Sequence, residues 1–248
     1  VRTIIKSLLR RTPYRISGSG ALNRFDAIEE CLVALKRRGF SPEVIVDGGA
    51  NIGHFARMAR RIFADATIHL VEPQPACQEA LKRLADTKGF VLHAAALVSP
   101  DFGGESASLA TTPGVVSTGS FMSSGLDQAQ TLQSVIVPAV TLDQLLERCP
   151  ANGAPVFIKL DLQGYELQAL AGSERTLAKT EVILAEVSFF AQAYEPPILE
   201  LMTWLERKGF VLYDIAALSA RARDGRARQG DFIFVRRTSA LAVDTAWC

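Results

Sequence analysis

The sequence predicts an α/β fold in which a largely parallel sheet is covered by helices on both faces. Three stretches carry that expectation. Val44-Ile45-Val46 is a β-branched run that stops at Asp47, passes through Gly48, Gly49 and Gly53, and enters an apolar-periodic segment with Phe55, Met58, Ala59, Ile62 and Phe63. Thr67 to Val71 repeats the strand pattern and ends at Glu72-Pro73. Val156-Phe157-Ile158-Lys159-Leu160 reads as a strand buried on both faces, delivers Asp161 to its C-terminal end and runs into a glycine turn. Strands alternating with helical patterns build βαβ units, and these make a parallel sheet with helices on its faces.

Composition bounds the reading. A chain of 248 residues suits one sizeable domain with a proper core. A formal net charge of +1 supplies no global field to recruit nucleic acid or an anionic membrane. Cys31, Cys77, Cys149 and Cys248 show neither a CxxC nor a Cys/His metal spacing, so reduced and mostly buried thiols are the simplest expectation. No apolar run approaches the length of a membrane span and no signal-peptide pattern is present, so a cytoplasmic location is expected.

From the start of the chain, Ile4, Ile5, Leu8 and Leu9 share one helical face, with Arg2, Lys6, Arg10 and Arg11 on the other. Such a basic amphipathic helix over residues 2–11 more often packs on its own domain than on a membrane or a partner, and peripheral contact is the alternative. Pro13 ends it, and Ser17 to Gly20 reads as a link. Asn23 is a candidate N-cap for a helix through Leu35 that Gly39 terminates. Residues 1–38 are therefore expected to form a helical extension, 39–237 the main domain and 238–248 a tail.

The loop at Asp47 to Phe55 sits where a nucleotide-like cofactor meets an open α/β sheet. Its register decides which cofactor. A phosphate-binding loop needs Gly-x4-Gly-Lys-Ser/Thr, but His54-Phe55 follow Gly53. A dinucleotide loop needs Gly-x-Gly-x-x-Gly, which no register here supplies. Asp47-x-Gly49-x-x-x-Gly53 instead fits the loop of Rossmann-like methyltransferases that use S-adenosyl-L-methionine. The expected cofactor contacts are Asp47, Gly48, Gly49, Ala50, Asn51, Gly53, His54 and Phe55. Glu72, about 20 residues beyond Gly53, matches the offset at which a strand-end acid meets a ribose, with Pro73 beside it.

Gln74 to Lys88 form the next predicted helix, with Cys77, Leu81 and Leu84 inward. Val91 to Leu97 reads as a third strand whose small residues, Ala95 and Ala96 among them, either leave space for an adenine or simply pack tightly. Among the histidines, His54 and His93 lie near the expected cofactor end, and His69 reads as a strand residue. Residues 99–134 lose periodicity, which inside a compact domain points to a substrate-shaping loop or lid. Val135 to Val140 adds an extra strand, and Thr141 caps a short helix with Leu142, Leu145 and Leu146. Beyond Asp161 a helix runs through Leu167 and Leu170, and Val182 to Val187 is another buried strand ending near Glu186. Ile198 to Lys208 is an amphipathic helix, and Phe210 to Ile215 with Asp231 to Arg236 close the sheet. Arg221, Arg223, Arg226 and Arg228 between them read as a solvated loop, with an anionic part of a substrate as the sharper alternative. Asp47, Glu72, Asp161 and Glu186 thus gather at the strand C-termini, the edge at which parallel sheets bind ligands.

Several segments together resemble the FkbM family of S-adenosylmethionine-dependent methyltransferases. They are Gly39-Phe40-Ser41-Pro42, Asp47 to Gly53, Val71-Glu72-Pro73, Thr141-Leu142-Asp143, Ile158 to Glu166, Gly209-Phe210 and Gln229 to Val235. Gly48 is one departure, standing where the family often has Val, and the residues before Gly39 lie outside the match. The resemblance implies a class I methyltransferase fold, Rossmann-like, with a largely parallel seven-stranded sheet and helices on both faces. It also implies O-methylation of a carbohydrate, glycoside or secondary-metabolite hydroxyl on a small-molecule or glycan acceptor.

Asp161, at a central strand end beside the cofactor, is the first candidate for the catalytic base and also a cofactor neighbour, with Glu186 as its partner. An aspartate with an ordinary pKa of about 3.9 takes a hydroxyl proton poorly. A divalent cation (Mg, Ca or Mn) held by Asp161 and Glu186 would acidify the hydroxyl. The competing role for Asp161 is a helix cap. A non-catalytic cofactor-binding scaffold of a biosynthetic complex is the alternative function; a NAD-dependent oxidoreductase and an RNA methyltransferase are weaker ones.

Overall fold

The computed structural model describes residues 24–87, 89–111, 133–147, 155–190, 198–221 and 223–243. The predicted helix over residues 2–11, the linker after it, the cap at Asn23 and the last residues of the tail lie outside them, as do Cys149 and Cys248.

The first described helix, α1 (Arg24–Arg37), turns Ile28, Cys31, Leu32 and Leu35 inward. It leads to β1 (Val44–Gly48), α2 (His54–Ile62), β2 (Thr67–Val71), α3 (Pro75–Ala85) and β3 (Phe90–His93). A small excursion follows, made of β4 (Ala96–Leu97), a 3-10 turn (Pro100–Phe102), β5 (Ser106–Thr111) and β6 (Gln133–Val140). The chain returns through α4 (Leu142–Leu145), β7 (Val156–Leu160), α5 (Glu166–Ala171), α6 (Glu174–Lys179), β8 (Thr180–Ser188) and α7 (Ile198–Arg207). A long hairpin, β9 (Phe210–Ala220) and β10 (Ala227–Arg236), and the short α8 (Ala240–Val243) complete it.

Seven strands form the main sheet in the order β3-β2-β1-β7-β8-β10-β9. All neighbours are parallel except β10, which runs antiparallel to both β8 and β9. From β1 the chain winds outward to β2 and β3, then crosses back to β7 on the other side. The β1/β7 seam is therefore the switch point, beyond which a crevice opens at the strand C-termini. Its register sets Asp47 opposite Lys159 and Gly48 opposite Leu160.

The central strands are buried on both faces, as their β-branched and aromatic content requires. Side chains alternate across the sheet. Ile45 and Phe157 join Phe40, Phe55, Phe63 and the inner face of α1 on one side. Val46 and Ile158 join Leu170, Leu201, Leu205, Phe232 and Phe234 on the other. The Phe157 ring meets those of Phe40, Phe55 and Phe63 edge-on at 5.9 to 6.4 Å, an arrangement favoured by the ring quadrupoles. This stack fixes the first turn of α2 beneath the glycine loop.

Two expectations need correction. Val91 to Leu97 is not one strand: β3 ends at His93, and Ala96 pairs with Ala139 of β6 in a separate three-stranded sheet. The small residues break the strand rather than extend it. The irregular stretch from 99 to 134 also contains order, since Ser106 to Thr111 pairs antiparallel with Gln133 to Pro138. Residues 112–132 of the predicted lid lie outside the described residues. The alternation in β5 buries Ala107 and Leu109 against Val137, a period-two signal masked by Ser and Thr. Among the described residues no helix is long and apolar enough to cross a membrane.

Candidate active site

The glycine loop folds tightly over the ends of β1 and β2. Gly49, Asn51 and Gly53 all take left-handed backbone conformations, with φ of 74°, 49° and 80°. At Gly49 glycine is required twice over, because a Cβ there would lie 2.0 Å from the carbonyl oxygen of Asp161. The Gly49 and Ala50 N–H groups donate to the Val71 carbonyl, at 2.9 and 3.1 Å. The Asp161 N–H donates to the Gly48 carbonyl at 3.1 Å. Three strand ends are thus tied together around one loop.

Asp47 does not reach the ligand side. It is fully buried, and Lys159 Nζ lies 3.0 Å from its Oδ1. The same ammonium donates to the Gly49 and Gly48 carbonyls at 2.8 and 3.1 Å. Burial opposes the Lys159 charge, but Asp47 and Asp161 outweigh it and hold its pKa above the ordinary lysine value. Burial also presses Asp47 upward against the pull of Lys159; the short contact supports the ionised pair. The acid at the end of β1 therefore braces the loop, in place of the cofactor contact expected of it.

Above the loop lies a cavity of about 260 Å³, lined by Gly49, Ala50, Asn51, His54, Phe55, Glu72, Pro73 and Asp161 among the residues expected there. Gly48 lies beneath the loop, where a Cβ would meet Leu160 and Leu97. Gly53 sits at the start of α2 against Leu84 and Leu81. Ala95 and Ala96 are buried beside the small sheet. None of these three, nor Asp47 or Gly48, lines the cavity. Arg24, Phe25, Gln74, Leu109, Lys159, Leu162 and Gln163 line it without having been foreseen.

Glu72 has the geometry of a polar anchor. Its Oε2 accepts from the Asn51 N–H at 2.8 Å and its Oε1 from the Gln74 N–H at 3.0 Å. Burial raises its pKa, and those two backbone donors pull against the rise. Each oxygen keeps a lone pair, which suits a vicinal diol. Next to it, Gln74 is buried, and among the described residues its Oε1 has no hydrogen-bond partner. A buried acceptor without a donor costs about 1–3 kcal/mol, and an N–H or O–H of a cofactor would satisfy it. These acceptors therefore fit the adenosine end of S-adenosylmethionine.

At the other end, four charged side chains and two amides converge. The Arg24 guanidinium, from the first residue of α1, donates Nε to Asp231 Oδ2 at 2.7 Å and Nη2 to Asp231 Oδ1 at 2.5 Å. The same Nη2 lies 3.0 Å from Asp161 Oδ2 and 3.1 Å from Glu186 Oε1. The Gln163 amide bridges Asp161 Oδ1 and Glu186 Oε2, both at 2.9 Å, and Gln229 Nε2 donates to Glu186 Oε1 at 2.6 Å. Gln163 holds this position with φ of 54°, a left-handed conformation rare for a residue with a Cβ. Behind it, Glu166 accepts from the Leu162 and Gly164 N–H groups at 2.7 and 3.1 Å, which fixes the turn. Asp161 thus does not cap the following helix; Glu166 serves that turn.

Burial opposes ionisation of Asp161, yet Lys159 and Arg24 outweigh it and keep its pKa below the ordinary aspartate range. Glu186 is pushed up to about 8, by burial first and then by Asp161. Asp161 lines the cavity, whereas Glu186 stands behind it. The Arg24 guanidinium lies between Asp161 and Glu186, where the divalent ion was expected. Among the described residues no group of three or more His, Cys, Asp or Glu side chains is arranged to hold a metal.

Of the histidines, His54 faces the cavity and its ring lies 5.7 Å from that of Phe25. His93 instead stacks on His69, with Nδ1 of His69 2.9 Å from Nε2 of His93. Arg221 and Arg226 lie over the Phe190 ring at 5.5 and 5.0 Å, and Arg221 and Arg223 pair with Asp224.

The model of the methyltransferase FkbM domain matches residues 47–212 of this chain. No curated protein matches it by sequence. Solved structures resemble it at low identity. The precorrin-6y C5,15-methyltransferase of Geobacter metallireducens is 12% identical over 89% of this chain and 94% of its own, with a TM-score of 0.45. An rRNA methylase of Streptococcus thermophilus is 10% identical over 88% and 99%, with a TM-score of 0.46. The 1,6-didemethyltoxoflavin-N1-methyltransferase of Burkholderia thailandensis is 12% identical over 86% and 78%, at 0.45. At these scores the substrates of those enzymes say nothing about this chain.

Proposed function

The chain belongs to the FkbM methyltransferase family of S-adenosylmethionine-dependent enzymes, and from that premise we propose that it is an O-methyltransferase acting on a hydroxyl of a carbohydrate, glycoside or secondary metabolite. The observation that carries this reading is the polarity of one cavity. Glu72 and Gln74 offer acceptors for a ribose and an adenine at one end, and Asp161 offers an ionised carboxylate at the other.

Gly49, Asn51, Glu72 and Gln74 would hold S-adenosylmethionine, which would supply an already activated methyl group, its sulfur–methyl bond breaking and the thioether leaving as S-adenosylhomocysteine. The residues of the chain have to place an oxygen in line with it and receive a proton. Positioning of this kind is worth roughly 7–11 kcal/mol in favourable systems. Asp161 is fixed by Gln163 on one oxygen and Arg24 on the other, and each oxygen keeps a free lone pair for an acceptor hydroxyl. An aspartate held ionised is a weak base, so its main role is to orient the hydroxyl and take its proton only as the new oxygen–carbon bond forms. Glu186 touches Asp161 through Gln163 and acts as a positioning residue. His54 and Phe55 narrow the cavity wall beside the loop. Leu109, from the small sheet, lines the same cavity, which makes that sheet a candidate wall for the acceptor.

Transfer of isotopically labelled methyl from S-adenosylmethionine to a panel of sugars, glycosides and hydroxylated metabolites tests the proposal. Label recovered as an alkali-stable ether supports it. Label found only on nitrogen or carbon would remove the O-methyl reading, and cofactor binding without transfer across the panel would favour a scaffold.

A further inference from the structure

The cluster around Arg24 has a geometry that carries more than the reading above. Three carboxylate oxygens, from Asp161, Glu186 and Asp231, lie 3.0, 3.1 and 2.5 Å from a single nitrogen, Arg24 Nη2. Hard divalent cations take carboxylate oxygens at about 2.0–2.6 Å, shorter than two of these contacts, so the oxygens surround the nitrogen in the manner of an ion's ligands but are spread to the reach of a guanidinium and not arranged to hold a metal. We propose that Arg24 is the resident cation of this site, a positioning residue whose guanidinium takes the place of a divalent ion and fixes Asp161 for the acceptor. The proposal rests on the reading of Asp161 as the acceptor-facing carboxylate, but the cation exchange it describes does not require an acceptor.

Two further observations support it. The guanidinium is not a loose surface charge: it grips Asp231 through both Nε and Nη2, and a bidentate fork fixes its plane as well as its position. Its carrier is also fixed, since Ile28, Leu32 and Leu35 anchor α1 in the core below. A helix packed in this way presents its first residue at a constant height over the strand ends. Neutralisation is only partial, because one guanidinium faces three carboxylates. Gln163 and Gln229 supply the remaining donors, and Glu186 holds its proton well above the usual carboxylate range. The result is a carboxylate, Asp161, whose charge and rotamer are set by an organic cation covalently part of the chain.

Manganese(II) chloride is a suitable probe, titrated calorimetrically into the full chain and followed by the electron paramagnetic resonance signal of free Mn2+. The wild-type protein is expected to take up no Mn2+ at millimolar concentration, as is Arg24→Lys, which keeps a cation in place. Arg24→Ala and the polar, uncharged Arg24→Gln are expected to gain one Mn2+ site, lost again when Asp231→Asn is added. Circular dichroism melts identify which variants are folded, and either folded neutral variant suffices. Uptake of Mn2+ by the wild type that Asp161→Asn abolishes would overturn the proposal and make this a metal site. Folded neutral variants that bind no Mn2+ would also overturn it. Neither result depends on methyl transfer, so failure here is distinct from failure of the O-methyltransferase reading.

Discussion

Lys159 and Asp47 face each other across the β1/β7 seam and form a buried ion pair, Nζ to Oδ1 3.0 Å. The lysine ammonium also fastens the Gly48 and Gly49 carbonyls, so the pair holds the glycine loop to the sheet. Removing one partner leaves a charge uncompensated in the core, which costs about 3–5 kcal/mol. Lys159→Met is therefore expected to lower unfolding stability by that order in urea titrations. The double variant Lys159→Met/Asp47→Leu should recover a substantial part of the loss. A single variant as stable as the wild type would show that the pair is not ionised.

Glu72 and Gln74 are expected to dominate cofactor affinity. Hydrogen bonds to a charged group contribute about 1.5–3 kcal/mol each, so Glu72→Ala should weaken S-adenosylmethionine binding at least about tenfold by calorimetry. Gln74→Leu, which removes the unpartnered Oε1, should weaken it more modestly while raising stability. Equal affinities for wild type and Glu72→Ala would take Glu72 out of the ribose role.

Asp161→Asn keeps the shape and one acceptor oxygen but loses the charge. General-base contributions are typically 10²- to 10⁴-fold, so turnover with an identified acceptor should fall by about that range while the dissociation constant for S-adenosylmethionine stays within a few-fold. Full turnover would end the candidacy of Asp161.

Stability should depend on pH in two opposite ways. Glu186 rises from an ordinary 4.5 to about 8 in the folded protein, so the native state binds the extra proton between those values. Its contribution is complete below about pH 4.5 and lost as pH rises through about 8. His69 falls from 6.5 to about 4, through burial and His93. Its contribution is present above pH 6.5 and lost as pH falls toward 4. Urea midpoints of Glu186→Gln across this range should lack the alkaline decline of the wild type. An unchanged alkaline slope would place the proton elsewhere.

The sheet was legible because its signal is local. Val44 to Gly48 and Val156 to Leu160 are buried at every position and apolar but for Asp47 and Lys159, and the loop between Asp47 and Gly53 has a register that excludes two cofactor classes. The cavity contacts of Asn51, His54 and Glu72 follow directly from that register. What the sequence hid depends on pairing across long separations. Nothing near Asp47 marks Lys159 as its partner, although a lysine inside an otherwise apolar strand was a signal that a buried acid must exist. Arg24 lay in a segment read as an extension, and its contact with Asp231 spans 207 positions. Ala95 and Ala96 misled for a different reason: small residues permit a strand end, a turn or a ligand equally well.

The carboxylate cluster also fixes an order of events in the making of the protein. Arg24 emerges from the ribosome early, Asp161 midway, and Asp231 in the last hairpin of the sheet. During synthesis the early guanidinium therefore waits for 207 further residues, nearly the whole of the domain, before its tightest partner exists. A nascent chain or a cleaved fragment lacking β10 carries the glycine loop and Glu72 but leaves Arg24 without Asp231. Assembly of the carboxylate cluster is thereby coupled to completion of the C-terminal hairpin.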